Sequence, residues 1–207
     1  MKILELFAGT KSFSNVAKEL GHKTFTSDFN QSFDTDYCVD IIEFDYKKIP
    51  FIPDVIWASP PCTTFSVASL GYHWTGGRGA YIPKTEECKK GIKIAKKTLE
   101  IINYYLKLNP KLIFYIENPR GVLRKMPFMQ GLKRHTVTYC QYGDIRMKPT
   151  DIWTNSNNWK PRPMCKNGDS CHVSAPRGSR TGTQGLKNAM LRSIIPKDLC
   201  FEILNSL

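Results

Sequence analysis

The residues best suited to chemistry lie in three short segments, and the most reactive of them is a cysteine. It stands in Ser59-Pro60-Pro61-Cys62-Thr63-Thr64-Phe65-Ser66, directly after an apolar run over 55–58. Two consecutive prolines stiffen the backbone and fix the direction in which the next side chain leaves it. The segment 67–83 that follows carries Gly71, Gly76, Gly77 and Gly79. Rigid backbone before a thiol and a flexible lid after it suit a nucleophile; a buried structural cysteine beside a loop is the competing reading. The second segment, Glu117-Asn118-Pro119-Arg120, ends the apolar run 112–116. A carboxyl group desolvated at a strand end holds its proton more tightly and can donate it to a ring nitrogen, although Glu-Asn-Pro is equally an ordinary turn. The third is Phe7-Ala8-Gly9-Thr10-Lys11-Ser12. Its small residues let backbone N–H groups approach a carboxylate or phosphate, or merely allow close packing. Asp28 ends the next β-prone run, where an acid can accept the ribose hydroxyls of a nucleoside cofactor or cap a helix.

These segments converge only if the elements before them form a sheet. KILELF over 2–7, the loop after it, the helical stretch FSNVAKEL ending at Gly21, and the β-prone run 23–27 make a β-α-β unit. The runs 55–58 and 112–116 are almost wholly apolar, as strands buried on both faces are. Each candidate then lies at the carboxyl end of a parallel strand, where open α/β sheets bind ligands.

Spacing predicts a long helix over 85–108, capped by Thr85, with Glu86 and Glu87 in its first turn. Its apolar stripe is Cys88, Ile92, Ala95, Leu99, Ile102 and Leu106. Lys89, Lys90, Lys93, Lys96 and Lys97 lie largely off that stripe, as a solvated face with DNA contact as the alternative. Strands are expected over 135–139 and 151–154, and a helix reset at Pro196 over 191–204. Residues 155–185 are rich in Asn, Gly, Pro, Ser and Arg without periodicity. The domain reading is a core over 1–154, a small loop-built insert over 155–185, and a C-terminal helical segment over 186–207 that packs back on the core.

A chain of 207 residues buries one good core and perhaps a small appendage. No stretch approaches the roughly 20 apolar residues of a membrane span, and MKILELF runs directly into a core strand, so a soluble, untargeted, cytoplasmic protein without membrane partners is expected. Seven cysteines at irregular spacing argue for reduced thiols. A net charge of +12 favours a polyanionic partner. A monomer is expected.

FAG, SPPC and ENP in this order resemble the DNA cytosine C5 methyltransferase family, over about residues 1–154. The resemblance implies a Rossmann-like α/β fold with a mixed, mostly parallel sheet, S-adenosylmethionine as cofactor and DNA as substrate. It places Phe7, Ala8, Gly9 and Ser12 around the cofactor, with Pro60 beside it, Asp28 on its ribose and Asp40-Ile41 on its adenine. It makes Cys62 the nucleophile that attacks C6 of a flipped cytosine and Glu117 the acid at N3. Ser66 and Arg78 would meet the nucleic acid. The chain departs from the family where a Gln-x-Arg-x-Arg run is usual: Arg146-Met147-Lys148 stands there, so Arg146 or Lys148 takes that catalytic role. Family members carry a large target-recognition domain, for which only 155–185 is available here.

In that insert Trp159, Arg162, Arg177 and Arg180 could contact bases and phosphates, or form an exposed loop. Cys165, Cys171 and His172, with Cys140, are the residue types of a zinc site, but the spacing is that of no standard ribbon or finger, and no metal is expected. The same chemistry on RNA or on a free cytidine nucleotide is an alternative, as is a non-catalytic nucleic-acid-binding protein of the same fold. A restriction-modification companion, protection of phage DNA and epigenetic marking fit the chemistry equally, in a prokaryotic or phage-encoded setting.

Overall fold

The computed structural model describes residues 1–174 and 188–207, apart from the side chains at 77, 78 and 189. Strand β1 (Lys2–Leu6) leads through a loop into helix α1 (Ser12–Glu19), then β2 (Lys23–Asp28), the short β3 (Tyr37–Cys38) and β4 (Val55–Ala58). A small excursion follows: α2 (Leu70–His73), β5 (Trp74–Thr75), α3 (Gly77–Ala80) and β6 (Ile82–Pro83). Helix α4 (Glu86–Leu108) returns the chain to β7 (Ile113–Pro119), and β8 (Arg134–Thr138) and β9 (Pro149–Thr154) complete the sheet. Helices α5 (Ala189–Ser193) and α6 (Lys197–Asn205) end the described chain.

The main sheet has the order β3-β2-β1-β4-β7-β9-β8. β3, β2, β1, β4 and β7 are parallel, and β9 is antiparallel to both its neighbours. This is the Rossmann-like, mostly parallel sheet expected. Side chains alternate between two cores, as the pleat requires. Leu4, Leu6, Ile56, Ala58, Phe114 and Ile116 face the layer that contains α4. Ile3, Val55, Trp57 and Tyr115 face α1 and α6, where Phe13 stacks on Trp57 at 4.5 Å. Among the described residues no helix is long and apolar enough to cross a membrane.

Helix α4 starts where the capping signal puts it, with Thr85 Oγ1 accepting from Cys88 N at 3.2 Å. Its buried stripe is Cys88, Gly91, Ala95, Thr98, Ile101, Ile102 and Tyr105, which takes in Gly91, Thr98 and Tyr105 where Ile92, Leu99 and Leu106 were expected, and Gly91 lets the helix press against the turn after Cys62. Three of its lysines form ion pairs: Lys89 with Glu86, Lys90 with Asp40 and Lys97 with Glu100.

Two expectations need correction. The segment 67–83 is not a free lid: Trp74 is buried with Nε1 donating to Thr64 O at 2.6 Å, and His73 Nδ1 meets Thr85 Oγ1 at 2.7 Å. The start of the expected insert is also core. Trp159 is only 2% exposed, packs edge-on against Tyr115 and donates to Glu202 Oε1 at 3.1 Å, so it cannot stack on a base. A large aromatic in a polar, glycine-rich stretch reads as surface until the helix that covers it, α6, is known.

Candidate active site

β1 and β4 are neighbours, and the chain leaves them in opposite directions across the sheet, so the crevice at their carboxyl ends is the topological switch point. After β1 the backbone takes left-handed conformations at Phe7 (φ 58°), Gly9 (φ 47°) and Lys11 (φ 56°). Two of these are not glycine, a strain of order 1–3 kcal/mol each that the surroundings must enforce. They do so through Ala8 N to Ser27 O (3.0 Å), Lys11 N to Ala8 O (2.7 Å) and Gly9 N to Asp28 Oδ2 (3.0 Å). The other Asp28 oxygen accepts from Asn30 N at 3.0 Å. A carboxylate has about four acceptor positions, which leaves Asp28 two for hydroxyl groups. Phe29 beside it is 69% exposed. Ile41 is buried next to Asp40, whose Oδ1 accepts from Ile42 N at 3.1 Å and whose Oδ2 pairs with Lys90 at 3.2 Å; these hold its carboxyl below the usual range. Ser12 Oγ meets Thr10 Oγ1 at 3.0 Å and accepts from Ile195 N at 3.3 Å, beside a cleft of about 700 Å³ bounded by Gly143 and Pro196.

The loop after β4 is held at each step. Ser59 N donates to Leu6 O at 3.3 Å, Ser59 Oγ accepts from Trp57 Nε1 at 2.9 Å, and the carbonyl of buried Pro60 accepts from Asn118 Nδ2 at 2.8 Å. Asn118 thus ties the proline-cysteine loop to the acid segment. Cys62, partly exposed, opens a 3-10 turn over Thr63–Phe65. A Cβ at Gly91 would collide with Thr64 Oγ1, and one at Gly121 with the Phe65 carbonyl, so α4 and the segment after β7 clamp this turn from two sides.

Glu117 projects from β7, and its Oε1 accepts from the buried Tyr139 hydroxyl at 2.8 Å. Burial and then the Glu117 carboxylate push the Tyr139 phenol well above its usual range, so it stays a donor. Lys148 Nζ lies 4.6 Å above the Tyr139 ring and donates to Arg192 O at 2.9 Å. Burial pulls the Lys148 ammonium down, while Glu117 and Cys62 push it up. Burial raises the Cys62 thiol and Glu117 raises it further; Lys148 and Arg192 oppose both. A thiol, a carboxyl group, a phenol and an ammonium thus share one electrostatic neighbourhood, the set needed to add a nucleophile to a ring and manage the ring's protons.

Of the two cations expected there, Arg146 is committed elsewhere. It is 3% exposed, its guanidinium grips Asp144 through Nε and Nη2, and Nη1 and Nη2 donate to the carbonyls of Leu191 and Ile194. Lys148 is the one that lies over the ring of Tyr139, the partner of Glu117, and whose charge acts on Cys62 and Glu117. Ser66 uses its hydroxyl to accept from Ala68 N at 3.2 Å. Arg162 donates to Glu202 (2.8 Å) and Gln141 O (2.7 Å) and lies over the Tyr142 ring, held by α6 and the turn after β8. Arg78 lies in α3 with its side chain outside the description, and Arg177 and Arg180 lie outside the described residues. Cys140, Cys165, Cys171 and His172 come together, their ligating atoms within 4.8 Å of one another. Burial and the two neighbouring thiols push Cys140 up to about 12.

Sequence reasoning missed Tyr139 and Phe29. Tyr139 ends a β-prone run and carries no local mark of its partner across the sheet. Phe29 did carry a signal, an aromatic placed directly after the acid at a strand end.

The C-5 cytosine-specific DNA methylase family model matches residues 1–127. A curated relative, the probable DNA (cytosine-5)-methyltransferase of Frog virus 3 (isolate Goorha), is 32% identical over 99% of both chains. Solved structures of similar fold include Dnmt2 methyltransferase of S. pombe (15% identity, TM-score 0.49, 78% of this chain and 53% of that one). Another is a DNMT2 mutant from Spodoptera frugiperda (16%, 0.45, 84% and 57%). A third is a type I restriction-modification methyltransferase subunit from Streptococcus thermophilus (17%, 0.44, 76% and 40%). The chain spans about half the length of these structures. Family model and full-length relative agree: the chain belongs to the C-5 cytosine-specific DNA methylase family, enzymes that methylate DNA cytosine with S-adenosylmethionine as methyl donor.

Proposed function

We infer that the chain methylates C5 of cytosine in DNA by a covalent route through Cys62, and the shared neighbourhood of Cys62, Glu117, Tyr139 and Lys148 is the observation that carries this reading. S-adenosylmethionine supplies an electrophilic methyl group. The residues at the switch point suit it: the spare acceptor positions of Asp28 match its ribose hydroxyls, the exposed ring of Phe29 offers a face to its adenine, and Asp40-Ile41 stands at the adenine edge. Phe7, Ala8, Gly9, Ser12 and Pro60 would surround the rest.

The base must leave the duplex to reach this crevice. C5 of cytosine is a poor nucleophile. Cys62 Sγ adds at C6 while Glu117, held by Tyr139, hydrogen-bonds or protonates N3, and C5 becomes enamine-like and able to take the methyl group. A water molecule then takes the C5 proton, the C–H electrons form the C5=C6 bond and the Sγ–C6 bond breaks with its electron pair returning to sulfur, which leaves 5-methylcytosine, the Cys62 thiolate and S-adenosylhomocysteine. Lys148 favours the thiolate at the start and end of this cycle.

The test uses duplex DNA carrying 5-fluorocytosine, in which no C5 proton is available to leave. With S-adenosylmethionine present, the protein should form an adduct that survives denaturation, and Cys62→Ala should form none. Methyl transfer without a trapped adduct would defeat the covalent route. Tritiated methyl transfer to RNA or dCMP in preference to duplex or single-stranded DNA would move the substrate; cofactor binding with no transfer to any of them would favour a binding protein.

A further inference from the structure

Outside the catalytic crevice, the most unusual chemistry is at the far edge of the sheet. Cys140 lies in the 3-10 turn that follows β8, while Cys165, Cys171 and His172 come from the irregular segment after Trp159. Cys140 Sγ is 3.0 Å from Cys165 Sγ and 3.6 Å from Cys171 Sγ. His172 Nδ1 is 3.8 Å from Cys165 Sγ and 3.6 Å from Cys171 Sγ. A tetrahedral zinc ion with Zn–S of about 2.3 Å and Zn–N of about 2.0 Å has S–S edges of about 3.8 Å and S–N edges of about 3.5 Å. Of the six edges of such a tetrahedron, three of the four given above lie within about 0.3 Å of these values, and the remaining two, Cys165–Cys171 and Cys140–His172, stay within 4.8 Å. The fourth, between Cys140 and Cys165, is shorter, yet well beyond the roughly 2.05 Å of a disulfide.

We propose that Cys140, Cys165, Cys171 and His172 form a structural zinc site that fastens the segment 160–174 to the end of β8. Four protein ligands close the coordination sphere, so the metal has no open position and takes no part in methyl transfer. Gln141 Nε2 donates to Cys171 Sγ at 3.4 Å, the outer-sphere N–H···S contact that steadies a metal-bound thiolate. The segment itself supplies the need. Residues 160–174 contain no helix or strand, and Cys165 is the one buried apolar side chain in that stretch, so a metal takes the place of a core. The site also borders the chemistry: Cys140 follows Tyr139, which holds Glu117, and Val173 N donates to Ile145 O at 2.9 Å, next to Arg146.

Elemental analysis of the full chain, purified under reducing conditions and dialysed against metal-free buffer, should give about one zinc per chain. Cys165→Ser and His172→Ala should each bring this below about a tenth, and Cys38→Ser should leave it unchanged. Because those variants can fail for lack of folding, chelator-stripped wild-type protein is also titrated with Co²⁺. Saturation at one equivalent, with the intense visible bands of a tetrahedral ion and thiolate charge-transfer bands, supports the site. Substoichiometric zinc together with no saturable Co²⁺ spectrum overturns it, as does recovery of a Cys140–Cys165 disulfide as the main state of the reduced preparation. Both readouts are independent of methyl transfer, so their failure leaves the catalytic reading untouched.

Discussion

Cys62 and Cys140 are both partly or wholly buried cysteines that follow strands of the same sheet, one at its middle and the other at its edge, yet their neighbours give them opposite uses. Around Cys62 stand an ammonium, a carboxyl group and a clamped turn, which leave one thiol partly exposed to a crevice. Around Cys140 stand two more thiols and an imidazole. A thiol with cations nearby is placed to attack and leave; a thiol among other soft ligands is placed to stay. The contrast teaches that reactivity is decided by what converges on a cysteine, and the two kinds of neighbourhood should answer differently to perturbation, one in rate and the other in stability.

The largest expected effect falls on Cys62. Cys62→Ala should reduce methyl transfer by about 10⁴-fold or more while thermal unfolding stays close to wild type, since the turn is held by Asn118, Gly91 and Gly121 rather than by the thiol. Radiolabelled transfer beside calorimetry checks this, and an equal loss in both would erase the distinction between the two cysteines. Glu117→Gln comes next. It keeps a partner for Tyr139 but removes the acid, and single-turnover rates should fall by roughly 10²–10³-fold with the unfolding temperature little changed.

A third measurement isolates a buried acid beneath the crevice that serves structure instead of chemistry. Glu5 on β1 accepts from Phe13 N (3.4 Å) and Ser14 N (2.8 Å), capping α1 in place of a side chain at Lys11, and burial raises its carboxyl from 4.5 to about 7. The folded state therefore keeps this proton to higher pH than the unfolded chain. The resulting stability is full below about pH 4.5 and is lost as pH rises through about 7, a change of about 3 kcal/mol. Urea unfolding of wild type across pH 5–8 should show this decline and Glu5→Gln should flatten it; an unchanged slope in the variant would assign the effect to other groups.

The smallest effect sharpens the role of the cation. Lys148 holds the Cys62 thiol down, so Lys148→Met should raise it further. The rise of kcat with pH should then move to higher pH, with a rate that is lower at neutrality and recovers in alkali, because less of the thiol is thiolate at a given pH. A uniform loss at every pH would mean that Lys148 positions the base and leaves the thiol alone.

The sequence by itself determined the parts that local chemistry governs. Apolar runs that lead into Ser-Pro-Pro-Cys, Glu-Asn-Pro and Phe-Ala-Gly mark parallel strands with their ligand ends, because strands buried on both faces have no polar alternation; the expected stop at Glu117 is not one, since β7 runs on to Pro119 paired with β9. Thr85 and the acids after it fixed the start of α4 for the same reason: capping is a matter of a few consecutive residues. Tertiary structure alone decided which of Arg146 and Lys148 is left to act on the thiol, because Arg146 is drawn away by Asp144 and by carbonyls of residues 191 and 194. It decided that Trp159 is core, because α6 covers it. It also gathered Cys140, Cys165, Cys171 and His172 into one cluster, although nothing in their spacing resembles a metal motif. Each of these outcomes depends on contacts between segments far apart in the chain, and no local pattern of residue types encodes which distant segment will pack against them.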